Sequence, residues 1–303
     1  MRPEQHSATL LILRSQALFA ATGVLVKLLS EEISPLVISA WLMILGVFIA
    51  LFNSVIRREL AFIPRVNVPA SMIRAALVVG NVFTSFYGYS HLPLAEAFVL
   101  SFLTPLFLTV LSKFFLKEQV GWHRGFATLV GFIGVLVMLL PDLQAETKPD
   151  ADRLLAQGAM ILCALFNAIN LAVLRHRLKF EVPSANILLT SLWAAILALA
   201  FCAVPLATTP LDTHMMSGLL LLAATTSMAV ISNGEAYHRA EASYLAPFGY
   251  IQLFWATAAA WLIWGEFPGL YAWAGAALII ASGLYTVQRE RYWERRRATT
   301  AAL

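Results

Sequence analysis

Ten apolar stretches, each long enough to cross a bilayer, fill most of this chain, and the last five echo the first five. A segment inside lipid must satisfy its own backbone polar groups, which restricts it to a helix or a closed barrel. The stretches run near 8–29, 34–55, 69–90, 94–116, 122–141, 153–175, 183–205, 214–235, 242–264 and 270–288. At about 1.5 Å rise per residue, roughly twenty residues cover the hydrocarbon core of about 30 Å. The expectation is an all-α polytopic membrane protein with ten transmembrane helices. Five spans per half, an odd number, would set the two halves upside down to each other, an architecture suited to moving a solute. Hydrophobic residues make up 60% of the chain and charged ones 13%, too little polar surface for a water-soluble fold of this length.

The connections are short and leave no room for a soluble catalytic domain. The first span starts within ten residues of Met1, carries Arg14 and lacks a small-residue cleavage site, so it is expected to be retained. Cys163 and Cys202 both fall inside spans, outside any metal-binding or redox spacing, and read as packing residues. The net charge of +4 does not imply nucleic acid, because the basic residues are spread along loop ends. Their side is informative. Arg2, Arg14, Arg57, Arg58, Arg65, Arg74, Lys113, Lys117 and Arg124 group with Arg175, Arg177, Lys179, Arg239 and the Arg289–Arg297 run, on the side of the termini. Only Lys148 and Arg153 fall in the opposite loops, with Lys27 near that end of span 1. The positive-inside rule then predicts a multi-pass protein of the cytoplasmic (inner) membrane with both termini cytoplasmic.

An acidic stretch near the midpoint divides the chain. The expected organisation is a first repeat at 1–142, a linker at 143–152, a second repeat at 153–288 and a basic tail at 289–303. Phe115-Leu-Lys-Glu118-Gln-Val-Gly121 pairs with Ile263-Trp-Gly-Glu266-Phe-Pro-Gly269. Upstream, Ala95-Glu96-Ala97 pairs with Ala240-Glu241-Ala242, in a register three residues different. The run Tyr87-Gly-Tyr-Ser-His-Leu-Pro-Leu-Ala-Glu-Ala-Phe, with Ser101-Phe-Leu-Thr-Pro105-Leu-Phe and Leu116-Lys-Glu118, resembles the first half of the drug/metabolite transporter superfamily, EamA branch. The run Glu235 to Tyr250, with Trp264-Gly-Glu266 and Gly275 to Gly283, resembles its second half. One departure stands out: members often carry an Arg early in span 2, where this chain reads Ser39-Ala-Trp-Leu-Met-Ile. The resemblance implies a 5+5 inverted repeat around a central cavity, working by alternating access.

Polar groups inside spans are costly unless they face a partner or water, which makes them functional candidates. Nearest the midplane are Asn81, Ser85, Asn167, Gln252 and Pro105; Tyr87, Asn170, Tyr250 and Trp255 join them as substrate-binding candidates. Pro105 removes a backbone hydrogen bond and is expected to kink its helix. Tyr250 and Trp255 lie too deep for an interfacial belt, which favours cavity lining over anchoring. Glu96 and Glu241, at the starts of spans 4 and 9, are candidates for gating or proton coupling at opposite doors. The competing reading is a first-turn acid favoured by the helix dipole. Glycines in spans 5 and 10 (Gly125, Gly131, Gly134, Gly275 and Gly283) would join either the two halves or two copies of the chain in a homodimer.

No catalytic residue, metal cluster or cofactor motif is expected, and without a phosphate-binding loop any transport would be secondary. The expected function is export of a small zwitterionic or amino-acid-derived metabolite, with metallophores on that list. The alternative is an uptake permease for a compound such as S-adenosylmethionine or riboflavin. A lipid-modifying membrane enzyme is the alternative of another class. The expected partners are a small-molecule substrate and membrane lipids.

Overall fold

The structure, a computed structural model, describes residues 3–58, 60, 66–115, 122–143, 151–177, 183–240 and 242–301. Among them there is no strand. The helices in chain order are α1 (Pro3–Leu29), α2 (Pro35–Ile56), α3 (Val68–His91), α4 (Leu94–Ser101), α5 (Thr104–Phe115), α6 (Trp122–Leu143), α7 (Ala151–Arg177), α8 (Pro183–Thr208), α9 (Thr213–Arg239), α10 (Ala242–Gly249), α11 (Ile251–Trp264) and α12 (Leu270–Ala301). The chain is an all-α, multi-pass membrane protein. Among the described residues, seven stretches are long and apolar enough to span on their own, and α6 and α12 contribute the shorter apolar runs Gly125–Pro141 and Leu270–Tyr285. The expected fourth and ninth spans are each two helices, α4 with α5 and α10 with α11.

Local chemistry accounts for the boundaries. The Asn67 side chain accepts the Ala70 N–H at 3.0 Å, and Asp212 accepts that of Met215 at 2.7 Å, capping α3 and α9. Proline opens α2 and α8, where a missing N–H costs nothing. Gly265 adopts φ +69° and ends α11; its N–H bonds Trp261 O at 3.0 Å and that of Glu266 bonds Ala260 O at 3.2 Å. This tight turn sends Glu266 back over the bundle.

The division of the fourth span follows from Pro105. Without a proline N–H, the Ser101 carbonyl loses its helical partner, and the Thr104 hydroxyl donates to it instead at 2.8 Å. The N–H groups of Phe102 and Leu103 bond only three residues back, to Val99 and Leu100, both at 3.1 Å. In the ninth span Pro247 lies inside α10, the helix stops at Gly249, and α11 restarts after Tyr250.

Eight spans close a ring. Around it, α1 packs on α9, α9 on α2, α2 on α8, α8 on α3, α3 on α7, α7 on α4 and α5, α4 on α11, and α11 back on α1. Helices α6 and α12 pair outside the ring, touching it through α5, α4 and α10. Gly134 and Gly275 face each other in that pair. A Cβ on Gly134 would lie 2.9 Å from Gly275 O, and one on Gly275 would lie 2.6 Å from Gly134 O. The glycines thus join helices of the two halves of one chain.

Several landmarks recur at one spacing. Pro183 opens α8 as Pro35 opens α2, Arg239 ends α9 as His91 ends α3, and Gly249 ends α10 as Ser101 ends α4. Each pair differs by 148 in residue number, as do Glu118 and Glu266.

The largest fully buried side chains crowd one end of the bundle, away from the start of α1. Ile33, Ile38, Leu92, Leu94, Phe98 and Leu219 are among them. This is called the far end below; the end where α1 starts is the near end.

Candidate functional site

Two carboxylates close the far end, each held from the other half of the chain. Glu96, 5% exposed at the start of α4, accepts Arg153 Nη2 at Oε2 and Gln157 Nε2 at Oε1, both at 2.9 Å and both from α7. Glu266 accepts Lys27 Nζ at 2.6 and 2.8 Å, joining the turn after α11 to the end of α1. The same ammonium lies 3.4 Å from Leu92 O and 4.8 Å from the centre of the Trp264 ring. Partly buried pairs of this kind persist where geometry and added hydrogen bonds offset the loss of water, and both pairs carry such additions.

At mid-depth the two interrupted spans meet. Phe102 at the α4–α5 break packs edge-on against Tyr250 at the α10–α11 break, with ring centres 5.0 Å apart. These residues also differ by 148. The Tyr250 hydroxyl rests against Gly283 of α12, where a Cβ would not fit. Beside the breaks, Asn81 Nδ2 donates to Cys163 O at 3.0 Å and lies 3.1 Å from its Sγ. The Thr104 hydroxyl reaches Ala164 O at 3.4 Å.

Towards the near end, Arg74 of α3 donates from Nε to Asn170 Oδ1 at 3.0 Å and from Nη1 to Asn186 Oδ1. Asn170 belongs to α7 and Asn186 to α8, the two ring neighbours of α3. Arg74, Val78, Asn81 and Ser85 follow the i, i+4, i+7, i+11 spacing of one helix face. Met72 and Ile73, 46% and 56% exposed, mark the lipid side. Arg14 in α1 donates to Ser232 Oγ from Nε at 3.0 Å and Nη2 at 2.7 Å. Arg57 bonds Glu235 at 2.7 Å, and the Thr9 and Tyr244 hydroxyls meet at 3.0 Å.

The residues singled out from sequence divide accordingly. Asn81 and Ser85 share a face of α3, whereas Tyr87 points elsewhere and stacks on His91 with ring centres 4.2 Å apart. Asn170 is drawn to Arg74, and Asn167 sits one turn earlier, half-buried. Tyr250 meets the other break; Gln252 is half-buried beyond it, and Trp255 is 42% exposed beside Phe254. Pro105 follows the break in the fourth span. Glu241 lies outside the described residues, as does most of the linker at 143–152. Glu96–Gln157 and Tyr244–Thr9 are contacts displaced from each other by 148 in both partners. At that spacing Tyr244 stands opposite Glu96.

Sequence reasoning passed over Arg74, Lys27, Arg153, Gln157 and Glu266. For Arg74 the sequence carries a signal, since it lies within the expected span 69–90. The others needed the fold, since each meets a partner more than fifty residues away.

Residues 6–140 match the EamA-like transporter family. The chain is 30% identical over 224 residues to an S-adenosylmethionine uptake transporter of Rickettsia prowazekii (strain Madrid E), covering 73% of this chain and 72% of that one. The chain belongs to the EamA-like transporter family. This places the transporter in the drug/metabolite transporter superfamily. It is also 29% identical over 224 residues to a riboflavin transporter of Brucella anthropi, covering 72% of this chain and 76% of that one. With the pseudopaline exporter CntI of Pseudomonas aeruginosa (strain UCBPP-PA14) it shares 24% identity over 282 residues, 91% of this chain and 94% of that one. A solved crystal structure aligns with TM-score 0.65 at 17% identity, covering 95% of this chain and 99% of that chain, and this likeness concerns the fold alone.

Proposed function

We propose that this transporter exports a small zwitterionic or amino-acid-derived metabolite, a metallophore among the candidates, across the cytoplasmic membrane by alternating access. The observation that carries the reading is the meeting of two interrupted spans at Phe102 and Tyr250, beside which Asn81 donates to Cys163 O. Interrupted helices at mid-depth are where inverted-repeat transporters bind solute. The recurring 148-residue spacing, the exchange of packing partners (α1 with α9, α7 with α3) and the paired breaks support two inverted repeats at 1–142 and 153–288. The excess of basic residues at the near end supports cytoplasmic termini. Asn81, Ser85, Asn167 and Tyr250 are proposed to contact the solute, while Tyr87 and Trp255 sit less favourably for it. Glu96 is proposed as part of the far gate.

Uptake is the second reading. The relatives named for S-adenosylmethionine uptake favour it as strongly as the pseudopaline exporter favours export. Transport, not an enzymatic reaction, accounts for the architecture in either direction. Deleting the gene in its host and comparing intracellular and extracellular metabolites by untargeted mass spectrometry separates the readings. A compound trapped inside supports export; one left unconsumed outside reverses the direction. Unchanged pools in both, with transport absent from vesicles, overturn the transport reading.

A further inference from the structure

Arg14 sits on the outside of the ring, on the face that α1 turns to lipid. It stands eight residues into the apolar stretch His6–Leu29, about 12 Å along the helix, and is exposed. Leu10, Arg14, Ala21, Leu25 and Leu28 recur at helical spacing, with Leu10 65% and Leu28 39% exposed. Gly23, nine residues on and therefore on the opposite side of α1, lies against Phe98 of α4. On the neighbouring α9 a matching stripe runs through Leu221, Ala224, Met228 and Ser232, and the first three are exposed. Ser232 is fully buried, with the Arg14 fork against its hydroxyl through Nε at 3.0 Å and Nη2 at 2.7 Å. Its own proton goes to Met228 O at 2.6 Å, which leaves the oxygen to accept. A neutral group thus fixes the fork over the lipid-side groove between α1 and α9. A charge among lipid-facing side chains is costly unless it reaches an anion or water. Glu235, one turn along α9 from Ser232, is held by Arg57 and Arg239.

We propose that Arg14 and the groove between α1 and α9 bind an anionic phospholipid of the near-end leaflet, with the lipid phosphate on the guanidinium. Ser232 takes up only part of the arginine donor set, and the rest of the fork matches phosphate oxygens in a two-point contact. The acyl chains then run towards the far end over Ala21, Leu25 and Leu28 of α1 and Leu221, Ala224 and Met228 of α9. Arg14 to Leu25 is eleven residues, about 16 Å, or roughly one leaflet of the 30 Å hydrocarbon core. Snorkelling of the side chain and local thinning of the bilayer bring the phosphate to that depth. An anionic headgroup fits better than a zwitterionic one, whose own ammonium already neutralises the phosphate. A second copy of the chain fits worse, because a twofold contact through this stripe sets Arg14 against Arg14. The site does not depend on which solute is carried or in which direction.

The test reconstitutes the full-length protein in nanodiscs of phosphatidylcholine with one-fifth phosphatidylglycerol, a trace of it carrying a photoreactive group beside the phosphate. Labelled peptides are located by mass spectrometry after illumination. In wild type the label is expected on α1 around Leu10–Leu18 and on α9 around Met228–Ser232. Arg14→Gln should lower labelling there at least five-fold and Arg14→Lys less, while labelling near the basic run Arg289–Arg297 stays unchanged. Photoreactive phosphatidylcholine should label the groove several-fold less than phosphatidylglycerol, a comparison made on wild type alone and so independent of whether the variants fold. Excess inorganic phosphate should leave the pattern as it is. Groove labelling by phosphatidylglycerol that a folded Arg14→Gln retains overturns the assignment, as does equal labelling by the two lipids. Displacement by inorganic phosphate would make the ligand a soluble anion, and a cross-link between two copies through this stripe would make it a protein contact; either overturns the lipid site.

Discussion

The contact between Glu96 and Gln157 and the contact between Tyr244 and Thr9 occupy matching places in the two halves, yet they are built from different chemistry. The first is a buried carboxylate held by an amide and a guanidinium. The second is a neutral phenol against a neutral hydroxyl. Each joins one half of the chain to the other, the first at the far end and the second at the near end. A charged seal is costly to leave half-made, because breaking it strands an ion away from water. A neutral hydrogen bond exchanges with water at little net cost. The difference teaches that matched positions need not carry the same chemistry: a charged contact stands at the far end where a neutral one stands at the near end, although Arg57 pairs with Glu235 nearby.

The comparison can be broken at several points. The largest effect is expected from Glu96→Ala, which removes the carboxylate that Arg153 and Gln157 both hold. Since Arg153 is itself 37% exposed, we expect a loss of about 2 kcal/mol, below the full cost of a buried pair, read as a lower melting temperature in detergent. Transport should fall with it, and Glu96→Gln should alter both rate and pH dependence. Unchanged transport and pH dependence in Glu96→Gln would remove Glu96 from the gate.

Next in size is Lys27→Met, which separates α1 from the turn carrying Glu266. About 1–2 kcal/mol is expected, given side-chain exposures of 13% and 32%. Combining it with Glu266→Gln should cost less than the two single changes added together, because the residues act as one unit. Strict additivity would show that the ion pair contributes nothing.

At mid-depth Phe102→Leu removes the edge-on contact with Tyr250 while keeping most of the volume. The aromatic pair is worth about 1 kcal/mol beyond buried area, so thermal stability should fall slightly. Transport should slow more than stability suggests, since the two breaks share this contact; equal flux at equal protein level would argue against a role for it. The smallest effect belongs to Tyr244→Phe, at about 0.5–1 kcal/mol. A loss as large as that of Glu96→Ala would erase the asymmetry between the two matched contacts.

Much of this was legible in the chain itself. The ten apolar stretches recur as ten helical segments, because lipid leaves a backbone no other way to satisfy its polar groups. Pro105 and the fragment around Gly249 announce points where helical bonds are lost. The pairing of Glu118 with Glu266 already carries the 148-residue spacing that the helix ends follow. The pairing of Glu96 with Glu241 stands three residues off that spacing, and Glu241 lies outside the described residues.

What composition and spacing determined alone was the solvent, the helical class, the apolar stretches that become helices and the resemblance to a family of transporters. These follow from local rules: backbone satisfaction, side-chain hydrophobicity and proline geometry act within a few residues. Which cation holds which carboxylate, that Arg74 turns inward between Asn170 and Asn186, and that Tyr87 turns away from Asn81 were decided by tertiary structure. Those facts depend on which helices become neighbours around the ring. Neighbours separated by up to 239 residues are chosen by the packing of whole helices, and no local pattern encodes that choice.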